Sequence, residues 1–280
     1  MALVPFPSQA NKPTPDDDYD PDWDQDQDLD ASGKMSFLDH LDELRRRLIY
    51  SIVSIGVGFL IAFSFINHIF AFVMLPLTNA VPGGKLVYTE PMEAFSLYLW
   101  MAALAGMMIA APLVLTQVWL FIAPGLYQHE KKLAIPFVAL TTICFIGGAA
   151  FSHYVAFPAM FAFGASFASD KVEFLPRIEP VFDMYLRMML AFGLIFQMPP
   201  IVFFMARMGM ITGRFLMRYF KYAVLVIFIA AAILTPSGDP YNQTLMAAPM
   251  IALYLFSALL AALFGKKRAP AVEAPEESGE

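Results

Sequence analysis

A chain of 280 residues that is 59% hydrophobic and only 15% charged is not a soluble globular domain, where about a quarter of residues carry charge. Most charges fall in the tails and short connections, leaving uncharged runs long enough, at about 20 residues, to cross a bilayer. The formal net charge of −6 conceals a bias, because the aspartates between Asp16 and Asp30 contribute −9 and leave the remainder slightly basic.

Cys144 is the single cysteine and lies in an apolar run, which excludes an intramolecular disulfide and argues against a cysteine-based metal site. The opening residues, MALVPFPSQANKPTP, lack a basic segment followed by an apolar core, so no cleavable signal peptide is expected. Residues 1–34 combine Pro, Asp and Gln with almost no aliphatic side chains. They cannot bury enough apolar surface to offset chain entropy, and a disordered acidic tail is expected.

At Phe37–Leu48 (FLDHLDELRRRL) the pattern changes to an amphipathic helix. Phe37, Leu41, Leu44 and Leu48 share one stripe; Asp39, His40, Asp42, Glu43, Arg46 and Arg47 occupy the opposite face, with Arg45 at its edge. Ser36 followed by Asp39 resembles a capping box. Placed before an apolar run, such a helix sits at the lipid headgroups, where its arginines anchor and orient it.

Six apolar segments follow, at about residues 48–70, 94–115, 133–157, 184–206, 222–234 and 245–264. Pro76, Pro82, Gly83 and Gly84 mark residues 71–93 as a loop, and Gln117–Lys132 is a polar connection. Gly147-Gly148 allows close helix approach, whereas Gln197 and Pro199-Pro200 must kink or break the fourth segment. The fifth is short: thirteen residues cover about 20 Å at ~1.5 Å per residue, against a ~30 Å hydrocarbon core. The fifth and sixth segments therefore either thin the bilayer locally or form a re-entrant hairpin, both leaving the C-terminus inside. Thr235–Asn242 reads as a tight turn, and residues 266–280 as a second disordered tail. The fold class expected is therefore all-α, a polytopic membrane protein with six transmembrane helices spread over residues 35–265. With the N-terminus inside, fourteen lysines and arginines lie on the inner side and four (Lys85, Lys171, Arg177, Arg187) on the outer, so both termini are expected in the cytoplasm.

Little in the chain suggests catalysis. His40, His68, His129 and His153 are scattered, and no metal-binding, phosphate-binding or nucleophile motif is found, so no cofactor or nucleic acid is expected and the chain does not read as an enzyme. A small-molecule transporter would call for ionisable groups in the span centres. Only Gln197 is strongly polar near a mid-span position, and an amide there equally well joins two helices. Glu43 and Glu130 are carboxylates at the inner surface. Spacing alone explains Glu43 by pairing with Arg47 and Glu130 by the dipole of the following helix.

FLDHLDELRRRL at 37–48, QVWLFIAPGLYQHEKK at 117–132, Pro76 and LTPSGDPYNQTLMAAPM at 234–250 together resemble the TatC family of the twin-arginine translocase, over about residues 36–264. That resemblance implies six spans in the bacterial cytoplasmic (inner) membrane with both termini in the cytoplasm. It also implies binding of the twin-arginine signal peptides of folded precursors, and export with TatB and TatA driven by the protonmotive force. By resemblance Glu43 and Glu130 contact the signal, Leu41 and Phe121 help to bind it, and Arg45, Arg47, Pro76, Gln197 and Asp239 serve structural or partner contacts. Membrane lipid and further copies of the chain in a receptor complex complete the implied partners. The sequence departs from the family pattern in its Asp-rich extension, in Gln197 where Glu is frequent, and in Leu255 where some members carry Glu.

Overall fold

The computed structural model describes residues 37–79, 86–122, 134–169, 171, 174–235 and 239–265. The expected tails, Glu130 and the end of the 117–132 motif therefore lie outside the described residues. By contacts the chain divides into two compact units, Met1–Arg46 and Arg47–Glu280. What is described of the first unit is the start of a helix. The second is a bundle of helices.

The elements are α1 (Phe37–Ser64), α2 (Ile66–Asn79), α3 (Glu93–Ile122), α4 (Ala134–Phe151), α5 (Phe157–Ala165), α6 (Ile178–Ile195), α7 (Met198–Arg207), α8 (Gly213–Arg218), α9 (Phe220–Leu234) and α10 (Pro240–Phe264). Five stretches are long and apolar enough to cross a membrane: Asp39–Ser64, Glu93–Ile122, Pro136–Ala165, Ile178–Arg207 and Pro240–Phe264. Two apolar helices are shorter, Ile66–Pro76 and Phe220–Leu234. The outer surface is apolar, with Leu60 66%, Ile143 68%, Leu194 71% and Ile233 79% exposed. In water such a surface would aggregate; it suits a hydrocarbon solvent.

Local breaks follow the prolines. Between α4 and α5, Ser152–Ala156 forms a π-helical turn in which the Phe157 amide donates to the Ser152 carbonyl. Pro158, just beyond, has no amide to offer the Tyr154 carbonyl, and the widened turn absorbs the mismatch. Between α6 and α7, Pro199 and Pro200 withhold amides from the carbonyls of Ile195 and Phe196, and the helix restarts at Met198. Pro76 departs from its sequence reading as a loop marker: it lies within α2, whose last turn gains a hydrogen bond from Thr78 Oγ1 to the Met74 carbonyl at 3.0 Å. A proline costs one amide bond, and in an apolar helix the remaining amides have no better partner than the helix itself. Where Gly or Pro is absent the chain still breaks, at Phe65, whose amide turns back to the Ala62 carbonyl at 3.0 Å.

In lipid, apolar contact with a neighbouring helix gains little over contact with acyl chains, so packing rests on small residues and hydrogen bonds. α1 meets α3 where Gly58 lies on Gly106: a Cβ on Gly58 would stand 2.4 Å from the Gly106 carbonyl oxygen. α4 meets α6 at Gly148, where a Cβ would stand 2.3 Å from the Phe192 carbonyl oxygen; Gly147 faces open space. α8 rests on α10 through Gly213, close to Ala258 and Ala262. The centre is filled by Met101, Phe157, Tyr185, Met188, Phe192 and Met246, all fully buried.

Candidate functional site

Of the residues expected to bind or to make partner contacts, those in the first unit stand on the opening helix. Leu41 is exposed, Glu43 is half-buried and Arg45 is exposed. In the second unit, Arg47 donates from Nη1 to Gln117 Oε1 at 3.3 Å, tying α1 to the end of α3. Phe121 follows Gln117 by one turn and is half-buried. Trp119, between them, packs against Phe137 and Phe204 with ring centroids at 4.2 and 4.7 Å. An open apolar groove of about 630 Å³ runs beside it between α3 and α4, lined by Leu113, Thr116, Leu120, Val138 and Ile143 among others.

Gln197 is buried and donates from Nε2 to the Thr141 carbonyl of α4 at 2.9 Å, so its amide joins two helices beside the proline break. Asp239 is the N-cap of α10, accepting from the Asn242 backbone amide at 2.8 Å and from Asn242 Nδ2 at 2.9 Å. Pro76 sits in α2, as described above. Nothing described brings Gln197 or Asp239 near Phe121.

Two polar sites escaped the sequence reading. Glu93 opens α3 with its side chain only 1% exposed. Its Oε2 accepts the amides of Thr89 at 2.8 Å and Glu90 at 3.2 Å, and its Oε1 accepts the amide of Glu179 in the first turn of α6 at 3.1 Å. Arg177 Nη2 lies 4.0 Å from both Glu93 and Glu179. Alongside, Val87 and Arg177 form a parallel bridge, with the Ile178 amide donating to the Val87 carbonyl at 2.9 Å. One carboxylate thus caps two helix N-termini, where orphan amides and the helix dipole both favour negative charge. From Glu93 to Gln117 along α3 is about 36 Å at ~1.5 Å per residue, so the staple and the Arg47–Gln117 contact stand at opposite ends of a membrane-length helix. A first-turn acid after Pro91 hints at a cap; nothing local points to Glu179, 86 positions away.

The second site is His153, 1% exposed in the π-turn, with Nδ1 2.8 Å from the Tyr185 hydroxyl and its ring stacked on Phe72 at 4.3 Å. The sequence shows only an isolated histidine in an apolar run.

Long apolar helices, small-residue crossings and polar groups held between helices define a multi-pass integral membrane protein. The family described as Sec-independent protein translocase protein (TatC) matches residues 39–249. The Sec-independent protein translocase protein TatC of Koribacter versatilis (strain Ellin345) is 41% identical over 250 residues, covering 86% of this chain and 92% of that protein. The TatC of Desulforapulum autotrophicum is 39% identical over 236 residues, covering 84% and 87%. A crystal structure of the twin arginine translocase receptor TatC superposes with a TM-score of 0.70 at 32% identity, covering 80% of this chain and 99% of the solved one. The chain belongs to the TatC family: it is a multi-pass inner-membrane subunit of the Sec-independent protein translocase.

Proposed function

We propose that this chain recognises the twin-arginine signal peptide of folded precursors. In this reading Glu43 and Glu130 each accept a guanidinium of the arginine pair, and Leu41 and Phe121 pack against the rest of the signal. The observation that carries it is the extent of the family match, 39–249, which takes in the first motif from residue 39 on, the whole of the second, and all four residues. The chemistry agrees: a planar guanidinium presents two parallel donors to a carboxylate, a geometry that lysine cannot reproduce. Export then proceeds with TatB and TatA at the expense of the protonmotive force, in a receptor complex holding further copies of the chain. Arg45, Arg47, Pro76, Gln197 and Asp239 shape the scaffold or its partner contacts.

The reading includes six crossings with both termini in the cytoplasm. α9 is the fifth crossing, and its 15 residues reach only about 22 Å at ~1.5 Å per residue, so the bilayer thins around it. A cysteine placed at Lys267 should react with an impermeant maleimide only from the cytoplasmic side. Labelling from outside would overturn the topology.

Site-specific cross-linking of a twin-arginine precursor in membrane vesicles tests recognition. Glu43→Ala and Glu130→Ala should each reduce cross-linking roughly tenfold or more at unchanged membrane level, the loss expected for a charge-assisted pair. Replacing the precursor's arginine pair by lysines should weaken binding to the wild type as well. Undiminished binding by both alanine variants would sink the assignment.

A further inference from the structure

Between α7 and α9 the chain concentrates positive charge with no carboxylate in the same stretch of sequence. From residue 184 to residue 238 it contains no aspartate or glutamate, yet Arg207, Arg214, Arg218 and Lys221 all fall near this junction. All four are exposed, and none of them forms an ion pair among the described residues. Arg214 and Arg218 are one turn apart on α8, an i,i+4 like-charge pair that disfavours the helix unless an anion sits between them. Lys221 stands in the first turn of α9, at the positive end of that helix, and Tyr219 offers no side-chain cap there.

The fold holds this arrangement rigidly. Gly213 and Leu216, the buried face of α8, lie on α10, and the Tyr254 hydroxyl donates to the Leu216 carbonyl at 2.7 Å. Thr212 Oγ1 caps the helix by accepting the Phe215 amide at 3.2 Å. The opposite face therefore points outward: Arg214, Phe215, Met217, Arg218 and Tyr219 are exposed, continuing into Lys221 and Tyr222. Phe215 packs on Tyr219 at 4.7 Å between ring centroids, and Lys221 Nζ lies 5.0 Å over the Tyr222 ring.

This strip connects the ends of two apolar helices, so it lies at the edge of the hydrocarbon. Aromatic rings with a polar tip and cations on long apolar stems are the side chains that settle at that depth. We propose that α8 and the start of α9 form a binding site for an anionic phospholipid, its phosphate held between Arg214, Arg218 and Lys221 and its glycerol and upper acyl region against Phe215 and Tyr219. An acidic peptide would satisfy the cations but not the outward aromatic and methionine side chains, which need an apolar environment. This inference does not rest on the signal-recognition reading.

The full-length protein in nanodiscs of phosphatidylcholine with phosphatidylglycerol added tests it, with lipids retained on the protein counted by native mass spectrometry. Wild type should retain phosphatidylglycerol in preference to phosphatidylcholine. The triple variant Arg214→Gln, Arg218→Gln, Lys221→Gln should lose that preference on the order of tenfold, as expected when surface cations facing anionic lipid are removed. Lys171→Gln, a cation outside the strip, should keep it. No headgroup preference in wild type, or a preference that survives in the triple variant, overturns the site. So does an oligo-aspartate peptide that binds wild type but not the triple variant in pure phosphatidylcholine while phosphatidylglycerol shows no preference. If the triple variant does not fold, the wild type at high salt decides: a several-fold fall in preference supports the site, and an unchanged preference refutes it.

Discussion

Two stretches of comparable apolarity are used in opposite ways. In an 18-residue apolar window of the α1 stretch, Asp39–Ser64, 11% of the residues are buried inside the protein; in the corresponding window of Ile178–Arg207, which contains α6 and α7, 50% are buried. The first buries Gly58 and Ala62 and shows most of its larger aliphatic side chains to the surroundings. The second carries Tyr185, Gln197 and the Pro199-Pro200 break in the packed centre. Hydropathy reports how readily a segment leaves water. It does not report whether lipid or protein then covers it, because the two environments are nearly equal in apolar transfer energy.

If that contrast is right, the largest effects belong to the α4–α6 crossing. Gly148→Ala forces a methyl against the Phe192 carbonyl and should destabilise the protein by about 1–3 kcal/mol, whereas Gly147→Ala, in open space, should change little. Thermal unfolding in detergent checks the pair, and equal effects would break the comparison. Next comes the staple at the ends of α3 and α6. Glu93→Ala leaves three backbone amides without their acceptor and should lower the unfolding temperature by several degrees, while Glu179→Ala, whose exposed side chain lies 4.0 Å from Arg177, should not. Gln197→Leu removes one interhelical bond to Thr141 and should cost about 0.6–1.7 kcal/mol, the range for such bonds in membranes. Smallest is Leu60→Ala on α1, at 66% exposure, with a change under about 0.5 kcal/mol in the same assay. A loss as large as that at Gly148 would show that α1 is covered by protein after all.

The proposed recognition residues and the lipid strip differ in the same instructive way. Glu43, Phe121 and Glu130 were singled out by motif resemblance, and geometry adds to them chiefly the Arg47–Gln117 contact. The strip at Arg214–Tyr222 reads in sequence as an ordinary basic loop. Its significance comes from Gly213 and Leu216, which pin one face of α8 to α10 and so determine what the other face presents.

By itself the sequence determined the class of the protein, the helical character of Phe37–Leu48, the break at Pro199-Pro200 and the motif segments. Each of these depends on short-range facts: a run of apolar residues, a 3.6-residue period, a missing amide. It misjudged Pro76, because a proline's local penalty is outweighed in an apolar helix, where unbonded backbone has no water to turn to. Only the tertiary structure decided that Glu93 caps α6, that Gln197 reaches Thr141, that His153 meets Tyr185, and that Gly148 rather than Gly147 carries the crossing. These are pairings between positions 32 to 86 residues apart. In lipid, such pairings are selected by how closely two backbones approach and which buried polar group still needs a partner, and neither quantity is written in a local pattern.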